Sequence, residues 1–456
     1  MIDLAIVNSR IVTSGGIILG GVAIEGEKIV AVAKEDHFPV ANKVVDAKGN
    51  FLLPGIVDPH SHLGIDKMED PEQGYEQTIR QETISAATGG VTTFFTTPPP
   101  PPLSLEDAIR IMNKDSIIDM ALHGRLFTDQ HLREISKCVA LGVISFKSHM
   151  IGYPKKGTLP ADDGIIYLAF EAMKKLGPPA IEMVHCENYY IINKLQERLM
   201  SEGRKDFQAW TDSRPSFTEE EAMRRAMFIA ETIDSPLYIP HMSIKEGVGL
   251  VAQQKARGFD VIAEVCPHHL TMTKHDKNGW LAKVTNPLRE KEDIEALWKG
   301  IKDGVIECVG SDHVPYSLKY KMETDIWDIH GAGFQGTATI LPVMLSEGVN
   351  KGRIPIERIA DVCCANPAKV FGIYPQKGAI QVGSDADLVI ADLNKEVTVN
   401  APMLHSSSDL TMYEGWRFKG WPIMTISRGE IIMENGEIIA KPGRGKYLHR
   451  KLHSQR

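Results

Sequence analysis

Short apolar runs punctuated by glycine open the chain. Residues 4–7, 11–13, 20–25 and 28–32 are β-type stretches separated by turn residues, and this texture predicts a small sheet. It returns at 387–391 and again from 424 to 437. The two chain ends are therefore expected to pair into one discontinuous β-sandwich domain, with residues 1–50 as its first part and 376–440 as its second. Between them, over 51–375, apolar runs of strand length alternate with helical periodicity, as at 104–113, 217–231 and 291–302. Such βα repetition predicts a parallel sheet. No G-x-G-x-x-G opens a helix, which argues against a dinucleotide-type open sheet. The expected fold is α/β, a (β/α)8 TIM-like barrel carrying the small sandwich. Two segments should lie at the carboxyl ends of barrel strands, where such folds build their sites. One is the five-proline run 98–102, which cannot continue the strand 91–96 because proline donates no ladder bond. The other is the glycine- and proline-rich stretch 151–163.

Composition narrows the field. A chain of 456 residues with 43% hydrophobic and 24% charged positions suits a globular barrel plus a smaller domain. A net charge of −8 gives no general attraction to nucleic acid or to an anionic membrane. No uninterrupted apolar stretch of about 18 residues predicts a membrane span. Six cysteines without a C-x-x-C pair, and a start lacking a basic segment before an apolar run, lead us to expect a reducing, cytoplasmic setting. The last segment, 441–456, carries Lys441, Arg444, Lys446, Arg450, Lys451 and Arg456 with no acid, and is expected to be a solvated or subunit-contacting tail.

Candidate chemistry gathers where apolar runs end. In Ile56-Val57-Asp58-Pro59-His60-Ser61-His62 the two histidines are two apart after a strand, so they point the same way and can meet one metal ion. Similar endings are His185 after Val184, His241 after Pro240, and Asp312-His313 after Cys308-Val309-Gly310-Ser311. A lone histidine in such a place is commonly a packed core residue; four strand ends carrying His or Asp make metal ligation the better reading. Lys147, at the end of the run 142–147, is a buried ammonium that must be paired, snorkel to water or lose its charge. Cys186 beside His185 is a poor nucleophile candidate, because neighbouring strand residues face opposite ways, and no G-x-S-x-G elbow occurs.

Taken together, Asp58-Pro59-His60-Ser61-His62, Ser145-Phe146-Lys147, His185-Cys186-Glu187-Asn188, His241-Met242-Ser243 and Gly310-Ser311-Asp312-His313 resemble the cyclic amidohydrolases: hydantoinases, dihydropyrimidinases, allantoinases and dihydroorotases. The likeness continues through Asn366-Pro367-Ala368 and Gly383-Ser384-Asp385-Ala386-Asp387-Leu388, and 371–378 is most similar to the hydantoinase branch. The resemblance implies a carbamate on Lys147, derived from carbon dioxide, that bridges two divalent ions. His60, His62 and Asp312 would hold one ion, and His185 and His241 the other. Zinc suits these ligands, as do manganese and cobalt. The implied reaction opens a cyclic amide or ureide to an N-carbamoyl amino acid, with metal-activated water as nucleophile and Asp312 shuttling its proton to the departing ring nitrogen. A homo-oligomer, dimer or tetramer, is implied as well.

The ring itself is less constrained. Dihydroorotases follow their H-x-H and leucine with a carboxylate-binding arginine; here Gly64 follows Leu63, despite the dihydroorotase-like Pro267-His268-His269-Leu270. The oxyanion-binding tyrosine of related enzymes lies five residues beyond the metal lysine; here that position is Gly152, so Tyr153 or His149 is expected to serve. Asn286, before Pro287, is a candidate ring contact or a polar turn residue, and Phe334-Gln335-Gly336 resembles a pocket floor. The alternatives are an allantoinase or another amide or carbamate hydrolase, and a non-catalytic scaffold of the dihydropyrimidinase-related kind, which would lose the ligands that this chain retains.

Overall fold

A computed structural model of the chain describes residues 1–63, 71–99, 101–152, 159–276, 279–328 and 331–453. They form two compact units, one of residues 1–121, 336–407 and 413–448 and the other of 122–335, 408–412 and 449–456.

In the first unit the two chain ends share one nine-stranded sheet. Its path runs Glu437–Ile438, Glu430–Glu434, Arg417–Ser427, Leu388–Thr398, Phe51–Pro54, Ile2–Thr13, Gly16–Glu25 and Lys28–Ala33, with Ala41–Asp46 paired alongside Ile2–Thr13. The joining seam is antiparallel, from Leu388 opposite Pro54 to Ala391 opposite Phe51. Inward positions from both ends, among them Ile6, Val22, Leu52, Leu388 and Ile426, make a single apolar cluster, and its burial is what selects this register. The runs predicted at 4–7 and 11–13 are one strand. Its pattern breaks because the register shifts between Ile6 and Ser9, where Asn8 takes φ 52°. A second sheet of this unit is ordered Ile56–Asp58, Val91–Thr96, Asp119–Leu122, and every residue in it is buried.

The second unit holds a six-stranded sheet ordered Cys308–Val309, Val261–Val265, Leu237–Ile239, Ile181–His185, Ser145–His149, Gly124–Arg125, all pairs parallel. The helices Asp129–Ala140, Asp163–Leu176, Ser216–Ile233, Lys245–Ala256 and Lys291–Asp303 connect successive strands. Side chains such as Phe146, Ala169 and Met173 seal sheet to helix, which explains strands that are buried along almost their whole length rather than on alternate residues. Among the described residues no helix is long and apolar enough to cross a membrane.

The carboxyl-terminal segment departs from the solvated tail that is one expectation for it. Arg444 pairs with Glu430 at 2.9 Å and Lys446 with Glu27 at 2.7 Å. Arg450 is 3% exposed and donates to Ser145 Oγ at 2.9 Å. The partners of these cations lie outside the segment, so counting acids within it could not reveal them. Lys441 and Lys451 are exposed.

Candidate metal-binding and catalytic site

In the first unit, His60 and His62 follow the strand Ile56–Asp58. Their side chains do point the same way, with Nε2 atoms 3.2 Å apart. Two imidazole nitrogens at that distance either share one proton or turn both lone pairs toward a cation. His60 is buried and His62 half-buried. His62 Nδ1 lies 3.1 Å from Thr97 Oγ1, and Ser61 between them donates to the Phe95 carbonyl at 2.7 Å, so the loop is pinned to the next strand. An outer hydrogen bond of this kind fixes the ring orientation of a ligand.

The second unit carries the other candidates. Lys147 is the middle residue of Ser145–His149 and opposes Met183 in the neighbouring strand. It is 1% exposed. Burial pushes its ammonium down to about 8, against the upward pull of the Asp312 and Glu264 charges. About a tenth of the amine is therefore neutral at pH 7, far more than at an ordinary lysine, and it is the neutral form that an amine needs in order to act as a nucleophile. His185 ends the strand Ile181–His185, and its Nδ1 lies 3.1 Å from Nε2 of His241, again two imidazole nitrogens facing each other. On its other side His185 Nε2 lies 2.8 Å from the Glu187 carboxylate. Burial alone would raise Glu187, but that hydrogen bond and the charges of Arg214 and Arg289 outweigh it and keep the carboxyl ionised.

His241, Asn286 and Asp312 all have left-handed backbones, with φ of 40°, 50° and 47°. Such conformations are costly for residues with a Cβ and concentrate at functional sites. At His241 the strain is held by Glu264, which accepts the His241 N–H at 3.1 Å and the Tyr238 hydroxyl at 2.6 Å. Glu264 is fully buried and its pKa is raised by burial to about 8. Gly310 leaves room for it, since a Cβ there would stand 2.6 Å from the Glu264 carboxyl carbon.

The expected substrate contacts divide. His149 is half-buried, with its ring centroid 5.3 Å from that of His185. Asn286 is buried, and its carbonyl receives a 2.8 Å hydrogen bond from His269 Nε2. Tyr153 and Gly64 lie outside the described residues. Arg289, the nearest thing in the sequence to a spare carboxylate-binding cation, is committed elsewhere: it pairs with Glu219 at 2.8 Å and donates to Ser243 Oγ at 3.0 Å.

Several site residues escaped the sequence reading. Glu182 and Glu264 sit inside strands, Glu187 beside His185 and Glu219 against Ser243 and Arg289, and all four are buried. The available signal was an acid interrupting a β-type run, because acids are almost never buried without a partner. Cys266, His268 and His269 also bring ligand atoms within 4.8 Å of one another. Burial lowers the pKa of both histidines, to about 4 for His269, so they are neutral imidazoles.

Comparison with known proteins agrees with this chemistry. The amidohydrolase family pattern matches residues 238–432. The L-hydantoinase of Paenarthrobacter aurescens is 35% identical over 99% of this chain and 99% of its own. An allantoinase of Rubrobacter xylanophilus is 31% identical over 96% of this chain and 97% of its own. The solved L-hydantoinase (dihydropyrimidinase) from Arthrobacter aurescens superposes with a TM-score of 0.90 at 34% identity, covering 98% of this chain and 99% of that one. With imidazoles facing in pairs and a poised buried lysine in a chain similar along its whole length to these enzymes, the protein belongs to the amidohydrolase family, in its hydantoinase, dihydropyrimidinase and allantoinase group of cyclic amidohydrolases.

Proposed function

We propose that this enzyme opens a small cyclic ureide or amide, of hydantoin or dihydropyrimidine type, to the N-carbamoyl amino acid. The observation that carries the reading is the facing pair His185 Nδ1 and His241 Nε2, 3.1 Å apart, in the same unit as a buried lysine whose pKa is pulled down to about 8. The donor set suits a pair of divalent ions, with His60, His62 and Asp312 assigned to one, His185 and His241 to the other, and Lys147 as the bridge. Zinc is the first choice, with manganese or cobalt as substitutes. When bound, the two ions supply Lewis-acid polarisation of the ring carbonyl and acidify water at neutral pH.

The chain's own residues do the rest. The neutral Lys147 amine attacks carbon dioxide, a nitrogen–carbon bond forms and one proton leaves, so the lysine becomes an anion suited to bridging cations. The Asp312 carboxylate accepts a proton from the attacking water and returns it to the ring nitrogen as the carbon–nitrogen bond breaks. His149, Asn286 and Tyr153 are assigned to the ring. We read the strands Ile56–Asp58, Val91–Thr96, Asp119–Leu122 with Gly124–Arg125, Ser145–His149, Ile181–His185, Leu237–Ile239, Val261–Val265 and Cys308–Val309 as the eight strands of a (β/α)8 barrel. A cytoplasmic homo-oligomer acting on a small molecule, with no part for nucleic acid or membrane, completes the reading.

The test is a hydrolysis panel with metal analysis on one preparation: 5-substituted hydantoins of both hands, dihydrouracil, allantoin and dihydroorotate. We expect about two metal ions per chain, turnover of hydantoin or dihydrouracil, and far poorer kcat/KM for dihydroorotate, since Gly64 brings no cation and Arg289 is held by Glu219. Preference for allantoin would move the assignment to that reaction, and a metal-free, inert protein would leave a scaffold role.

A further inference from the structure

The strand Val261–Val265 runs into Cys266, which caps the tight helical turn Pro267–Leu270. Pro267 fixes the backbone where that turn begins. The His269 N–H donates to the Cys266 carbonyl at 3.0 Å, and Trp298 Nε1 anchors the far end by donating to the Leu270 carbonyl at 2.9 Å. Residues three apart stack on one side of such a turn, which brings Cys266 and His269 together. The His268 ring lies 4.2 Å from that of His269 and stands edge-on to Phe334 at 4.9 Å. Cys266, His268 and His269 each bring a sulfur or nitrogen atom within 4.8 Å of the others, and all three side chains are buried.

Hydrogen bonding inside the unit leaves lone pairs over in this cluster. His269 Nε2 lies 2.8 Å from the Asn286 carbonyl, an oxygen that only accepts, so the ring proton sits on Nε2 and Nδ1 is bare. Neither that Nδ1 nor Nε2 of His268 has a hydrogen-bond partner, and both are shut away from solvent. A buried acceptor in that state carries the full cost of its lost water, and each such atom calls for an explanation. The single thiol proton of Cys266 can serve at most one of the two nitrogens. A metal ion takes up both lone pairs and the sulfur at once.

We propose that Cys266, His268 and His269 form a metal site of their own, separate from the residues assigned to the ion pair, for a borderline-soft ion of the zinc class. On binding, a metal–sulfur bond replaces the sulfur–hydrogen bond and the thiol proton passes to solvent. One thiolate with two imidazoles suits zinc or cuprous copper and disfavours magnesium, calcium and manganese, which take oxygen ligands. The three side chains leave the fourth position of a tetrahedral ion to water or another small ligand. The turn that carries them is held by its own hydrogen bonds, so the donors are set before the ion arrives. The site does not depend on the hydrolytic reading.

Sulfur makes the site separately visible. The ligands assigned to the ion pair offer only nitrogen and oxygen, so cobalt(II) held there gives no sulfur-to-metal charge-transfer band, whereas cobalt(II) on Cys266 does. The full chain is produced with cobalt(II) in place of zinc and kept under a phosphine reductant, because free thiols would give the same band. We expect the band in the wild type, bleached by added zinc. Cys266→Ser should abolish it and lower the metal content by about one ion per chain, whereas Cys138→Ser, at the one cysteine not fully buried, should leave both unchanged. His269→Gln keeps an amide nitrogen to donate to Asn286 but offers nothing in place of Nδ1, and His268→Asn likewise loses Nε2. Each should raise the cobalt dissociation constant, read from the band against a chelator, by at least about tenfold, since losing even an outer hydrogen bond of a ligand costs about 10–100-fold. A wild type without the band would leave these nitrogens to an ordered water and overturn the site. A band that survives Cys266→Ser, or that neither histidine variant weakens, would do the same. Should Cys266→Ser not fold, cobalt X-ray absorption of the wild type and His269→Gln takes its place. A sulfur neighbour at about 2.3 Å that weakens in the variant is expected, and a shell of nitrogen and oxygen alone would overturn the proposal equally. Failure of the ion pair would show instead as low metal content with the band intact.

Discussion

Asp312 adopts a left-handed backbone at φ 47° just beyond the strand Cys308–Val309, and its charge acts on Lys147, Glu264, His268 and His269. Asparagine tolerates that conformation better than most residues and keeps an oxygen that can approach a metal, but at neutral pH it accepts no proton. Asp312→Asn should therefore retain most of the bound metal while kcat falls by about 10²–10⁴-fold. Both are to be measured on one preparation, and full metal with near-normal turnover would pass the proton shuttle to His313 or His149. Glu182 offers a separate test by pH. It is fully buried, takes a hydrogen bond from Ser148 Oγ, and has its pKa raised by burial from the ordinary 4.5 to about 8. Because the folded value lies above the unfolded one, the native state holds a proton that the unfolded chain has released. The associated stability is complete below pH 4.5 and is lost as pH rises toward 8. Glu182→Gln removes that titration, so thermal midpoints between pH 5 and 8 should fall less steeply than in the wild type; parallel slopes would mean that the carboxyl does not titrate there.

Among elements, the strand ends were the most legible feature of the sequence. An apolar run closing on His, Lys or Asp is visible as text, and it singles out His60, His62, Lys147, His185, His241 and Asp312 as candidates; His185 does end its strand, whereas Lys147 lies in the middle of Ser145–His149. Helix positions were also readable, with ends shifted by terminal turns: 104–113 became Leu105–Asp115 because Ser104 is the cap of a capping box rather than a helical residue. The run expected as a strand over 142–147 begins only at Ser145, since Gly142 is in a left-handed turn at φ 80°. The buried acids behind the ligand candidates were not legible, because their partners come from other strands and no local period encodes them. Glu264 illustrates the dependence: it supports His241 only because the next strand ends at a residue without a side chain, Gly310. In Gly310→Ala the new methyl would stand 2.6 Å from the Glu264 carboxyl carbon and 2.7 Å from Oε2. Either the carboxylate or the strand must move, at a cost of about 1–3 kcal/mol, and the backbone bond to His241 loosens. A lower urea midpoint together with reduced metal content is the expected result; unchanged values for both would show that Glu264 yields freely and does not hold His241.

At the scale of the chain as a whole, closure of the first unit rests on more than its sheet. Asp119, Asp385 and Asp387 bring carboxylate oxygens within 4.8 Å of one another, all buried, in what could pass for a cation cradle. Lys377 already answers that charge, with Nζ at 2.6 Å from Asp119, 2.7 Å from Asp387 and 3.0 Å from Asp385. Burial would lower its pKa, but the three carboxylates outweigh this and hold the ammonium above its ordinary value. Lys28 joins through Asp385 at 2.6 Å and Arg428 through Asp119 at 3.1 Å, so segments from both chain ends converge on one buried ionic group. A buried ion pair is weak grounds for net stability compared with an apolar replacement of the whole set, yet removing one partner alone is expensive, about 3–5 kcal/mol. Lys377→Met is such a removal, and it keeps most of the length of the side chain while deleting the charge. Three carboxylates then face one another without their central cation, so their pKa values rise in the folded state and protonation becomes the way to relieve them. With folded values above unfolded ones, the variant loses further stability as pH climbs through the raised values; in the wild type burial already raises Asp387, but the pull of Lys377 opposes it and Asp385 is held below its ordinary value, so the loss there is smaller. Urea midpoints at pH 5 and pH 8 should accordingly show the variant weaker than the wild type at both, with the larger gap at pH 8. A gap no bigger than that of the exposed Lys441→Met, or one that shrinks toward pH 8, would mean that the remaining cations Lys28 and Arg428 neutralise the group unaided.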